Sequence, residues 1–203
     1  HTRSSQGSVY HEKGYRWDLA GNVDRADGDT VPRFRGGLDF GFALPFRTSS
    51  LWLYNPAGVA GGNRENALAS FYFGGFGNNY VDDGEVKRYR EFDSFPGFEI
   101  DELAGRDFAK TVLELNLPPL RFEEVGTAAF FLSYARPALF GGAMQLRSPD
   151  DRSYRLYNLG AQVDLGFTVV MRLPMVFSIG VGRGFGDKDI DGRTEWMASL
   201  KIL

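Results

Sequence analysis

Four sets of residues in this chain have the types and spacing that chemistry needs. The segment GDKDIDGRTEW (186–196) sets Asp187, Asp189 and Asp191 ahead of Gly192, the D-x-D-x-D-G opening of a calcium loop. Its twelfth position is Ala198, not a bidentate glutamate, and strands instead of helices flank it. A polar hairpin tip is the better reading. GVGRGFG (180–186) looks like G-x-G-x-x-G only by accident: it ends a strand and opens a hairpin, so no helix presents amides to a phosphate. His1 and His11 are the only histidines, and no Ser or Cys constellation accompanies them. Asp39, Glu114 and Asp164 are expected on one common face, where two could form a hydrolytic carboxylate pair. Arg35, Lys110 and Lys201 share that face, which favours ion pairing over catalysis. The chain therefore reads as a protein without an enzymatic step, a cofactor or a bound metal.

Composition sets the class of scaffold that must position these groups. The 203 residues are 43% hydrophobic and 15% aromatic, with 26 glycines and 18 phenylalanines, which favours an all-β fold. Basic and acidic residues number 23 and 26, so no basic stripe exists to follow a nucleic-acid backbone. The absence of cysteine removes disulfides, thiol nucleophiles and thiolate metal sites. No apolar run is long enough for a membrane-spanning helix, whereas a spanning β-barrel, whose strands alternate, stays open. The first residues, HTRSSQ, carry no Met and no apolar leader, so any signal peptide or upstream domain is expected to lie outside this sequence.

Period-2 alternation marks the strands. In RFRGGLDFGFALP (33–45), Phe34, Leu38, Phe40, Phe42 and Leu44 oppose Arg35, Gly37, Asp39, Gly41 and Ala43. In AKTVLELNLP (109–118), Leu113, Leu115 and Leu117 oppose Lys110, Val112, Glu114 and Asn116. AQVDLGFTVVM (161–171) and WMASLKIL (196–203) repeat the pattern. One face of each is rich in Gly, Ala, Ser, Thr, Asp, Gln and Lys, as the wall of a water-filled lumen would be. Strands are expected near 8–20, 33–45, 49–56, 107–118, 126–136, 154–172, 174–185 and 194–203. Several reach the length a tilted strand needs to cross hydrocarbon. Between them, long polar connections (21–32, 57–106, 137–153, 186–193) alternate with short Pro-bearing turns. This is the layout of an antiparallel up-and-down transmembrane β-barrel with about eight strands in this chain. Trp17, Trp52 and Trp196, with Tyr10, Tyr15, Tyr54, Tyr154 and Tyr157, are expected near strand ends as an interfacial girdle.

The longest connection opens with FYFGGFGNNY (71–80), in which Phe71, Phe73 and Phe76 alternate with Gly74, Gly75 and Gly77. The glycines are either turn residues of a surface loop or, if the loop folds inward, the positions that let it pass close to the wall while the rings anchor it. This run, the segment SFPGFEIDELAGRDF (94–108) and the strand LELNLPPLRF (113–122) resemble the bacterial surface antigen family of BamA-type outer-membrane assembly barrels. They are similar in particular to the barrel at the C-terminus of TolB-like propeller proteins. The resemblance implies the C-terminal half of a sixteen-stranded barrel in the bacterial outer membrane, with residues 57–106 folded inward. It implies a role in outer-membrane protein assembly or polypeptide translocation, with outer-membrane lipid and other barrel or periplasmic proteins as partners. The family's loop tip carries an arginine that contacts acidic residues on the wall. At the aligned tip this chain has Pro96, Gly97 and Phe98, so the resemblance passes that role to Arg88 or Arg90, with Glu114 or Asp164 as partner. Two other functions fit the same residues: a passive pore or structural barrel anchoring a periplasmic module, and a soluble β-sandwich that binds carbohydrate through exposed aromatics.

Overall fold

A computed structural model describes residues 1–3, 11–26, 28–46, 48–77, 86–123, 125–127, 129–170, 172–187 and 190–203. Tyr10, Met171, Asp189 and the end of the aromatic run, 78–80, lie outside the described residues. The chain forms β1 (Thr2–Arg3), β2 (Lys13–Ala26), β3 (Asp29–Ala43), β4 (Ser50–Tyr54), β5 (Pro56–Ala60), β6 (Phe71–Phe73) and β7 (Leu103–Gly105). It continues with β8 (Asp107–Asn116), β9 (Leu120–Arg121), β10 (Gly126–Thr127), β11 (Phe130–Arg147), β12 (Ser153–Val169), β13 (Leu173–Phe185) and β14 (Thr194–Ile202). Two single 3-10 turns, Ala67–Ala69 and Arg88–Arg90, are the helical segments among the described residues. Among the described residues, no helix is long and apolar enough to cross a membrane.

Twelve strands build one antiparallel sheet, in the order β1-β2-β3-β4-β8-β11-β12-β13-β14 with β5, β9 and β10 beside that path, and β6 pairs with β7 in a separate two-stranded sheet. β5 prolongs β4 beyond Asn55 and likewise lies between β3 and β8. The fold is thus an all-β meander, and no pairing among the described residues joins β1 to β14. β11, β12 and β13 run for 13 to 18 residues, with one irregularity in β11, where the register against β12 shifts between Leu132 and Tyr134.

The two faces of the sheet are inverted relative to a water-soluble one. The buried face carries Asp39, Ser50, Lys110, Glu114, Asn116, Arg136, Asn158, Gln162, Asp164 and Ser178, beside the apolar Phe108, Val112, Phe140, Met144, Leu146 and Leu156. The opposite face presents Leu19, Phe42, Leu113, Leu139, Leu159, Ile179, Trp196 and Leu200 to the surroundings, with Leu159 63% and Trp196 72% exposed. A sandwich in water would bury the second set and expose the first.

Several expectations are corrected. The segment 21–32 is a hairpin instead of a long loop: β2 runs to Ala26 and β3 starts at Asp29. Its Asp and Arg residues suit a loop in composition, but they alternate in phase with Val23 and Val31, and Arg33 Nη2 bonds Asp24 across the two strands at 2.6 Å. Likewise 137–153 is mostly strand, because β11 continues through Pro137, Gly141 and Gly142 to Arg147. Those glycines are paired on both sides, and Asn158 and Phe95 fill the space over Gly142. The long connection begins at Gly61, since 57–60 belongs to β5. Trp52 and Tyr54 do not belong to an exposed girdle. They lie on the buried face, only 6% and 9% exposed, stacked at 6.0 Å between ring centroids. Tyr154 packs against the core, while Tyr15, Trp17, Tyr157 and Trp196 are exposed.

Candidate functional site

The segment 61–106 returns across the polar face of the sheet and supplies much of the core. Its aromatic run sets rings beside bare backbone, and both features are used. Phe71 and Phe73 meet Phe108 of β8 edge-on, at 5.0 and 4.7 Å between centroids. Phe95, Phe98 and Leu103 join them over Met144, Leu146 and Leu156 of β11 and β12. Phe76 and Tyr89 lie in a second cluster with Trp52, Tyr54, Val112, Phe140 and Met197, and Tyr89 stacks on Phe140 at 4.1 Å. Gly75 takes a φ of +63°, where a side chain is strained, and pairs with Phe95 in an isolated bridge that turns the chain back. Gly74 donates its N–H to Asp93 O at 3.0 Å.

The tip residues Pro96, Gly97 and Phe98 settle on β13, where Gly182 and Gly184 face the segment with no side chain between. Gly97 has a φ of +98°, and a Cβ there would collide with the Gly184 backbone. Its N–H donates to Glu195 Oε2 at 3.0 Å and its carbonyl accepts from Arg193 N at 2.8 Å, which ties the tip to β14 and to the residue just before it. Phe98 is fully buried.

Beneath the rings lies a layer of ionic contacts. Arg90 forms a two-pronged pair with Glu114 of β8: Nε donates to Oε2 and Nη2 to Oε1, each at 2.6 Å. Glu114 is 0% exposed and also accepts from the Asn116 amide and, at 3.4 Å, from the Tyr54 hydroxyl. Asn116 in turn accepts from Arg136 on β11 and donates to Ser50 on β4. Arg88, the other candidate, turns to Glu91 within its own segment at 2.8 Å. Asp164 of β12 is reached instead by Lys87, at 3.5 Å, while Gln162 and Ser178 donate to Asp164 Oδ1 at 2.6 and 2.7 Å. Gln162 also donates to Val86 O at 3.2 Å, which holds the start of the turn.

Two anchors were not singled out as site residues. Lys87 looks like any surface lysine in VKRYREF, yet it is fully buried. Burial brings its ammonium down to about 8, with Glu114 and Asp164 acting in the opposite sense. Lys110, expected only to pair with a carboxylate, donates from Nζ to the carbonyls of Phe92 and Ser94 at 2.6 and 2.9 Å and to Glu91 O at 3.3 Å. It clamps the turn that follows Arg90. Burial raises the Tyr89 phenol well above its ordinary value, so it stays neutral beside these charges.

The three candidate carboxylates are not brought together. Asp39 pairs with Arg16, Glu114 with Arg90, and Asp164 with Lys87, each on a different strand. Asp187 and Asp191 are exposed at the β13–β14 connection, Asp189 lies outside the described residues, and no metal-binding cluster occurs among the described ones. His1 contacts Tyr15 and Arg3 at the start of the sheet. What the arrangement can do is fix a long connection in one position by wall charges under an aromatic cover. No family model, no curated protein and no solved structure matches this chain.

Proposed function

We propose that this chain is a portion of a bacterial outer-membrane β-barrel resembling the BamA-type superfamily, with its polar face turned inward and segment 61–106 as an interior loop. The observation that carries the reading is the inversion of the sheet. Charged groups such as Glu114 and Asp164 are 0% exposed, while Trp17, Leu159, Trp196 and Leu200 stand 60% or more exposed on the other face. Lipid stabilises such a face, whereas water leaves a contiguous apolar surface of this kind as an aggregation hazard. The same inversion speaks against a soluble sandwich, which would bury the apolar set and expose the charged one.

The role proposed within the membrane is assembly or translocation of polypeptide, without an enzymatic step. Support comes from the resemblance together with the Arg90–Glu114 pair, a loop cation held by a wall carboxylate despite Pro96 at the tip. A structural barrel that anchors a periplasmic module is the second reading. It is favoured by the loop's aromatic packing, which makes the loop part of the core. Urea-washed membranes and gel mobility with and without heating test the membrane placement. Retention with a heat-dependent shift supports it, and release by urea with no shift refutes it. Client assembly by an Arg90→Gln variant then separates the two roles: loss of assembly with normal membrane retention supports the first, and unchanged assembly supports the anchor.

A further inference from the structure

A second feature of the polar face has no part in the ionic layer under the loop. Between β2–β3 and the returning segment lies a cavity of about 250 Å³, lined by Asn22, Arg33, Arg35, Ser70, Tyr72 and Phe92 among others. Arg33 and Arg35 are two apart on β3, so both side chains leave the same face roughly 7 Å from each other. Neither guanidinium is used up. Arg33 gives Nη2 to Asp24, but its Nε is buried without a hydrogen-bond partner. Arg35 lies over the Phe92 ring at 4.6 Å and makes no salt bridge among the described residues. A guanidinium stacked on a ring is held flat, with its edge donors directed in the plane and open to an oxyanion.

We propose that this cavity binds a small phosphate-bearing ligand. The two arginines would take the phosphate oxygens as paired charge-assisted donors, the Asn22 amide and Ser70 hydroxyl would add neutral hydrogen bonds, and Tyr72 and Phe92 would wall the organic part. The volume suits a phosphate with a headgroup-sized substituent and is too small for an acyl chain. A phospholipid headgroup and a soluble phosphate share this chemistry. The site stands on the cavity itself and does not depend on where the sheet's outer face lies.

The test is calorimetric titration of the whole protein in zwitterionic detergent micelles with two probes, inorganic phosphate and a short-chain phosphatidylglycerol. Arg35→Gln is the primary variant, because that side chain is exposed and its loss leaves the Asp24–Arg33 pair intact. Arg33→Gln is the second. Saturable binding of inorganic phosphate, weakened about tenfold or more by Arg35→Gln, supports the site and points to a soluble phosphate. Binding of the lipid probe alone, with the same loss in Arg35→Gln, supports it and points to a headgroup. Failure of both probes to saturate, or binding unchanged in both variants, overturns the proposal.

Discussion

Arg90→Met is the substitution that most sharply tests how the loop is held. It removes both donors of a pair whose carboxylate partner is 0% exposed, and the Asn116 amide and Tyr54 hydroxyl stay as hydrogen-bond donors to Glu114. Breaking a buried pair from one side costs about 3–5 kcal/mol, chiefly because an uncompensated charge stays behind. Removing both sides has a different outcome. In Arg90→Met with Glu114→Leu the desolvation cost disappears with the charge, and such apolar replacements are often neutral or stabilising. The double variant is therefore expected to cost clearly less than the two singles summed, with what remains coming from the Asn116 and Tyr54 donors that lose Glu114, and the cycle gives a coupling energy of several kcal/mol. Urea unfolding in micelles, followed by tryptophan fluorescence and heat-dependent mobility, measures all four proteins. A cost below about 1 kcal/mol for Arg90→Met, or a double variant as unstable as the two singles summed, would refute the reasoning.

Phe73→Ala removes a fully buried ring between Phe92 and Phe108 and should cost about 3–5 kcal/mol in the same unfolding assay, with loss of near-ultraviolet dichroism. Gly97→Ala forces a φ of +98° on a residue with a Cβ directed at the Gly184 backbone, so a loss of about 1–3 kcal/mol is expected, read as a lower urea midpoint. Leu159→Arg on the exposed face should cost about 2–4 kcal/mol in vesicles if that face meets lipid; a face in water would show a change within about 0.5 kcal/mol. Lys87 is held near 8 when folded and returns to its ordinary value when unfolded, so between these limits the unfolded chain binds more protons. Stability should thus rise from pH 8 to pH 9.5, with a flatter slope in Lys87→Met; identical slopes would contradict the burial.

The parts readable from sequence were those in which alternation persists on both faces. In β8, Lys110, Val112, Glu114 and Asn116 alternate with Thr111, Leu113 and Leu115, and the structure keeps that phase. The hairpin at 21–32 escaped detection because strand positions facing a polar interior need not be apolar, so Asp24 and Arg33 read as loop residues. Trp52 and Tyr54 were placed at an interface because β4 is five residues long and interrupted at Asn55, too short to fix which face a ring takes. A pairing between loop arginine and wall carboxylate was readable only as Arg88 or Arg90 with Glu114 or Asp164, the choice left open. Choosing Lys87 over Arg88 for Asp164 was not, since three cations within four positions have no pattern that separates a buried one from its neighbours.

The central claim is that the apolar face meets lipid while the polar face and its loop are shielded from it. The chain's three tryptophans test this directly: Trp17 and Trp196 are 69% and 72% exposed on the outer face, and Trp52 is 6% exposed on the inner one. Single-tryptophan forms, with the other two changed to Phe, would be reconstituted in vesicles of brominated phosphatidylcholine and their fluorescence quenching compared. The account predicts strong quenching of Trp17 and Trp196 and little of Trp52. Equal, weak quenching of all three in protein shown to be folded would contradict it.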